Sequence, residues 1–234
     1  MTATKGKSAH ARMPAVMRPL ALRIVSATLP VLLVASLGAG CGAPATALPS
    51  GSVLFQDDFS RSSSGWEIRR GTEAISEYQD GEYAMLVLSP HTSSWSTPGL
   101  RLGEVRVEVD ARKTGGSADN LYGVICRYQN DDNFTFLVAS SDGFAGIGEY
   151  RQGQRLLLSG EAMLPVDSTA PGGLSNHLTA ECLEEVLRLY INGTLAAEVT
   201  SASPGSEGDV GLIVGSYLEP GIELAFDNFS ARVP

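Results

Sequence analysis

The residues able to do chemistry are few and scattered. Arg127 stands inside the apolar run Gly123-Val124-Ile125-Cys126-Arg127-Tyr128-Gln129. A guanidinium placed mid-strand must reach a carboxylate, an aromatic ring, a ligand or solvent. Gln129 and Asn133 follow at the next turn and add amide donors and acceptors. Trp95, in Ser93-Ser94-Trp95-Ser96, is flanked by polar residues, and Tyr150 lies at the rim of a hairpin. Both offer an apolar ring with a polar handle. Asp58 and Asp227 sit near the two ends of the folded part. If those ends meet, two like charges come together, which is costly without a cation or a proton between them.

Other patterns exclude chemistries. Glu104, Glu108 and Asp110 fall on one face of a single strand. Residues i and i+4 on a strand lie roughly 13 Å apart, whereas a retaining glycosidase needs its carboxylates at about 5 Å. That row reads as a solvated face. His91 and His177 lie in loop-like contexts without nucleophile partners at a suggestive spacing. Gly-x-Ser-x-Gly, His-Glu-x-x-His and phosphate-loop motifs do not occur. Two further cysteines, Cys126 and Cys182, follow Cys41. They are a disulfide candidate in an exported domain, or two buried thiols. Two cysteines without ligand-like spacing make no zinc site.

The elements carrying these residues read as strands. In Glu104–Arg112, Val105, Val107, Val109 and Ala111 alternate with charged residues, the period-two pattern of a half-buried strand. Gly81–Leu88 is apolar on both faces, as expected of an inner strand. Val186–Ile191 and Thr194–Val199 flank Asn192-Gly193, the signature of a two-residue hairpin turn. Turn residues at 129–133, 141–143 and 151–154 divide a meander from Leu121 to Leu158. Twelve or so short strands without an internal repeat predict an all-β, two-sheet antiparallel jelly-roll sandwich. In such a fold the first and last strands pair, bringing Phe55–Phe59 near Ile222–Val233.

The 234-residue chain is 43% hydrophobic, enough for a core, and carries a net charge of −9. An acidic surface disfavours a nucleic-acid partner. Residues 1–41 hold Lys5, Lys7, Arg12, Arg18 and Arg23 and no acid. The apolar run Ile24–Leu37 then leads to Leu37-Gly38-Ala39-Gly40-Cys41. This is the order of an export signal, too short for a membrane span. Once the signal is removed, 12 Lys+Arg face 26 Asp+Glu, a net of −14. Residues 42–52 read as a flexible tether and 53–234 as one domain.

The small residues before Cys41 resemble the lipobox of bacterial lipoproteins, although Gly38 stands where an aliphatic residue is usual. The resemblance implies lipidation at Cys41 and a protein anchored by lipid alone, facing the cell exterior or the periplasm. A second resemblance covers 53–234. It is carried by Asp57-Asp58-Phe59-Ser60, Ser64-Gly65-Trp66, Gly123–Gln129 with Asn133-Phe134, Ser140–Phe144, Leu189–Gly193, Gly208–Leu212 and Phe226–Phe229. In this order they resemble the concanavalin A-like, laminin-G-like jelly rolls of exported bacterial proteins, in the branch related to the 3-keto-disaccharide hydrolase domain. That likeness implies a concave face that often binds carbohydrate and, near the termini, a structural Ca²⁺ for which Asp58 and Asp227 are the candidates. Trp95, Arg127, Gln129, Asn133 and Tyr150 are then the expected sugar contacts. The expected role is non-catalytic binding of a glycan or envelope component. The alternatives are a hydrolase or lyase acting on a modified disaccharide, and an adhesive module with a protein ligand.

Overall fold

The computed structural model describes residues 47–170, 174–200 and 206–234. The signal segment, Cys41 and the start of the tether lie outside them. Sixteen strands and no helix are found among the described residues. They are β1 (Val53–Asp57), β2 (Arg69–Arg70), β3 (Ala74–Gln79), β4 (Glu82–Val87), β5 (Ser93–Ser96), β6 (Val105–Gly115), β7 (Asn120–Asn130) and β8 (Asn133–Ser140). There follow β9 (Phe144–Arg151), β10 (Gln154–Leu157), β11 (Leu164–Pro165), β12 (Ser175–Cys182), β13 (Val186–Ile191), β14 (Thr194–Thr200), β15 (Asp209–Ser216) and β16 (Ile222–Arg232). The excess over twelve comes from four pieces of only two to four residues, β2, β5, β10 and β11.

The strands form two antiparallel sheets. The larger runs β14-β13-β12-β6-β16-β4-β3-β2, with β1 also on β16; the smaller runs β10-β9-β8-β7-β15-β5, with β11 on β9. The first and last strands pair as expected, from Val53 opposite Arg232 to Asp57 opposite Phe229. The Asn192-Gly193 hairpin forms between β13 and β14, with both turn residues at positive φ.

The period-two pattern of β6 does what it predicts. Val105, Val107, Val109 and Ala111 are buried and pack against Tyr122, Val124 and Cys126 of the opposing sheet. Gly81–Leu88 departs from expectation. In β4, Tyr83, Met85 and Val87 are buried, but Glu82, Ala84 and Leu86 are only half-covered. The strand is central in its sheet, yet one face of that sheet meets solvent, so only one face is core.

Cys126 of β7 and Cys182 of β12 are joined by a disulfide that crosses between the sheets. The outer face of the larger sheet carries a ladder of alternating charges. Glu198 and Glu181 hold Arg188, Glu181 and Glu108 hold Arg106, and Glu108 meets Arg232. The expected solvated face of β6 is therefore solvated and internally neutralised.

Candidate functional site

The alternation of β7 breaks at Arg127. Its register on β8 shifts between Cys126 and Asn130, and Arg127 has φ 56°. This is a bulge, which re-aims a side chain and disrupts the ladder locally. The extra residue turns Arg127 toward the β12–β13 turn. There its Nη2 donates to the carbonyls of Leu183 and Glu184, the latter at 3.1 Å. Burial pulls the guanidinium below its ordinary pKa, and the nearby charges of Glu104 and Glu149 oppose that pull.

Arg127, Gln129, Asn133 and Tyr150 line one cavity of about 170 Å³. The cavity also takes in Thr135, Glu149, Arg151 and Ser206, which the sequence did not single out. Gln129 Nε2 donates to Ser206 Oγ at 2.8 Å. Glu149 is buried and paired with Arg151. Asn133 serves mainly as a turn brace. Its Nδ2 donates to Asn130 Oδ1 at 2.9 Å, and its Oδ1 accepts the Gln152 amide.

Trp95 and Tyr150 meet over buried Phe134. The Phe134 ring lies 4.9 Å from Trp95 and 4.7 Å from Tyr150, centroid to centroid, and Tyr128 adds a third partner at 5.8 Å. Trp95 is half-buried rather than fully exposed. Its indole Nε1 and the Tyr128 hydroxyl both donate to Asp131 Oδ1, at 2.9 and 2.8 Å. Burial first, then the bond to Asp131 and its charge, push the Tyr128 phenol up to about 12. One turn carboxylate thus fixes two rings of the cluster. Farther along the same face Arg155 lies over Phe136 and reaches Tyr217, whose hydroxyl meets Met163 Sδ.

Asp58 and Asp227 lie elsewhere, by the outer face of the larger sheet. Asp58 Oδ1 accepts the Ser60 hydroxyl at 2.6 Å and the Ser60 amide at 3.1 Å, which hold its carboxyl below the usual range. Asp227 accepts the Asn228 amide at 2.7 Å. Burial, with Glu82, Asp110 and Asp58 as neighbouring charges, raises its carboxyl above the usual range. Among the described residues no group of three or more His, Cys, Asp or Glu side chains is arranged to hold a metal ion. Asp58 borders a cleft of about 460 Å³ that also touches Ser64, Glu108, His177, Asn228 and Arg232. His177 Nδ1 lies 2.8 Å from Asp110 Oδ1 there.

No family model matches the chain, and no curated protein resembles it in sequence. Solved structures do match. The carbohydrate binding module CBM66 from Bacillus subtilis superposes with a TM-score of 0.59 at 16% identity, over 72% of this chain and 96% of its own. A protein of unknown function with a galectin-like fold, also from Bacillus subtilis, gives 0.58 at 10% identity over 79% and 97%. A Bacillus licheniformis beta-glucanase gives 0.56 at 13% identity over 80% and 100%. At such identities the likeness is one of fold, and by that fold the chain carries a concanavalin A-like, galectin-like jelly roll.

Proposed function

We propose that the protein is an exported, lipid-anchored module that binds a glycan of the cell envelope or its surroundings without transforming it. The observation that carries this reading is the polar cavity of Arg127, Gln129 and Glu149 beside the Trp95–Phe134–Tyr150 cluster. A sugar presents apolar C–H faces and a rim of hydroxyls. It is matched by rings set next to fixed hydrogen-bonding groups. A binding role rather than hydrolysis is favoured by the carboxylates. Glu149, the one carboxylate among the described residues lining the cavity at Arg127, is buried and held by Arg151 rather than set opposite a second acid across that cavity, as glycoside hydrolysis requires. The carbohydrate-binding module and the glucanase among the fold neighbours support a glycan as the ligand class. Export and anchoring at Cys41 rest on the signal-like residues 1–41. Intact-mass measurement of membrane-extracted protein tests them.

A glycan array probed with the full chain, beside its Tyr150→Ala and Gln129→Ala variants, tests the binding role. Saturable binding to one glycan class, weakened in both variants, is the expected result. A folded chain that binds nothing overturns it and turns the search to protein ligands. One observation favours a second reading, a hydrolase. The His177–Asp110 pair at the 460 Å³ cleft has the geometry of a carboxylate-oriented base. Turnover of an array-selected glycan, abolished in His177→Ala, is its signature.

A further inference from the structure

We propose that the cavity at Arg127 is one of two subsites in a single groove, so that the protein takes an oligosaccharide of at least two rings. The inference rests on the glycan reading above and concerns the length of ligand recognised. The cavity at Arg127, at about 170 Å³, is smaller than the roughly 300–1,000 Å³ typical of ligand sites. Next to it lies a cleft of about 570 Å³, lined by Gly99, Leu100, Arg101, Tyr128, Gly208 and Asp209. The two spaces share Gln129 and Ser206, whose side chains are hydrogen-bonded to each other. A polar bridge between two adjoining hollows can offer its outer lone pairs and N–H to both neighbouring rings, or to the linkage between them.

Each hollow has its own tyrosine. Tyr150 belongs to the first and Tyr128 to the second, and both rings pack on Phe134. A chain of ring contacts therefore joins one hollow to the other. The walls of the second hollow are equally fixed. Buried Asp209 accepts the Gly99 amide at 2.8 Å, and Leu102 and Gly208 exchange backbone bonds at 2.8 Å. Gly208 packs so tightly on the Arg127 bulge that a Cβ there would lie 2.5 Å from the Arg127 carbonyl carbon. Groups held in place before binding lose little entropy on binding. At the mouth, exposed Arg101 and Glu207 form an ion pair able to meet hydroxyls of the second ring.

The test is a calorimetric titration of the full chain with glucose, N-acetylglucosamine, and the di-, tri- and tetrasaccharides of β-1,4-glucan, β-1,3-glucan, α-1,4-glucan and chitin. In the series that binds, the disaccharide is expected to bind about tenfold tighter than the monosaccharide, a step of about 1.4 kcal/mol. Tyr128→Ala is expected to erase that gain. Because Tyr128 also braces the aromatic cluster, the exposed Arg101→Ala is the parallel variant and should cut the gain at least threefold. Equal affinity for one and two rings, or a gain that survives both variants, overturns the two-subsite proposal and leaves glycan binding standing. Absence of binding by every probe, together with a blank glycan array, overturns the glycan reading itself.

Discussion

The indole nitrogen of Trp95 donates to Asp131 Oδ1 at 2.9 Å across 36 positions of sequence, so a hairpin turn of the smaller sheet holds a ring from its far edge strand. The Tyr128 hydroxyl shares the same oxygen. Asp131 lines neither hollow and acts by orienting two rings.

Replacing Asp131 by Asn should therefore loosen the platform without emptying it. Glycan affinity is expected to fall by about 1 kcal/mol, the worth of an ordinary hydrogen bond. The Tyr128 phenol, pushed up to about 12, should move down toward 10 when the neighbouring charge goes, but not reach it, because burial is the larger cause. Ultraviolet titration of tyrosinate reads this shift. An unchanged titration would mean that Asp131 does not act on Tyr128.

Cys126 and Arg127 are consecutive, and they tie β7 to Cys182 and to Leu183 and Glu184 respectively. Closing a loop of sequence separation 56 restricts the unfolded chain by roughly 4 kcal/mol. The Cys126→Ala/Cys182→Ala double variant should lose about that much stability in urea unfolding. Arg127→Ala should cost about 2 kcal/mol by leaving two carbonyls without its charged donor. Combining the two should cost less than their sum, since both pin the same junction. Strict additivity would contradict a shared role.

Glu181 stands between Arg106 and Arg188 in the charge ladder, with its side chain 17% exposed. Glu181→Ala removes two contacts and should cost about 1 kcal/mol at low salt. The loss should shrink in 1 M salt, where the screening length is about 3 Å. Unfolding measured at two ionic strengths checks it. A loss independent of salt would mean that packing, not charge, is at stake.

Asp227 should weaken the fold at neutral pH. Its carboxyl is raised in the native state, so the native state binds more protons than the unfolded one across that window. Stability falls as pH rises from below the ordinary carboxylate value of 3.8 through the raised folded value. Asp227→Asn should then stabilise at pH 7, by no more than about 0.5 kcal/mol at this largely solvated position, and be neutral at low pH. Thermal melts across pH read both halves. Stabilisation that persists at low pH would point to a cause other than charge.

The fold was legible where side-chain period and turn chemistry agree. The alternation of Val105–Ala111 and the Asn192-Gly193 turn follow from local rules, and the pairing of the terminal strands follows from the jelly roll that such strands build. Four cavity residues were visible in the sequence: Arg127 as a charge inside an apolar run, Gln129 and Asn133 as amides at the turn that follows it, and Tyr150 as a ring at a hairpin rim. The Arg127 bulge was not, because a non-glycine residue at positive φ carries no mark in the sequence. Nor were Ser206 and Asp131, since polar turn residues are common and their partners lie far off in the chain. Glu149 was hidden because its burial depends on Arg151 and on the register of β8 against β9.

The chain has two tryptophans, and they divide cleanly between core and site: Trp66 is buried against Phe59 and Phe229, while Trp95 belongs to the cluster beside the cavity. Intrinsic fluorescence of the full chain, titrated with the glycan selected on the array, therefore reports on the place of binding. A saturable change is expected in the wild type and disappears in Trp95→Phe, where Trp66 still emits. A saturable change that persists in Trp95→Phe would place the ligand elsewhere and contradict the assignment of the site.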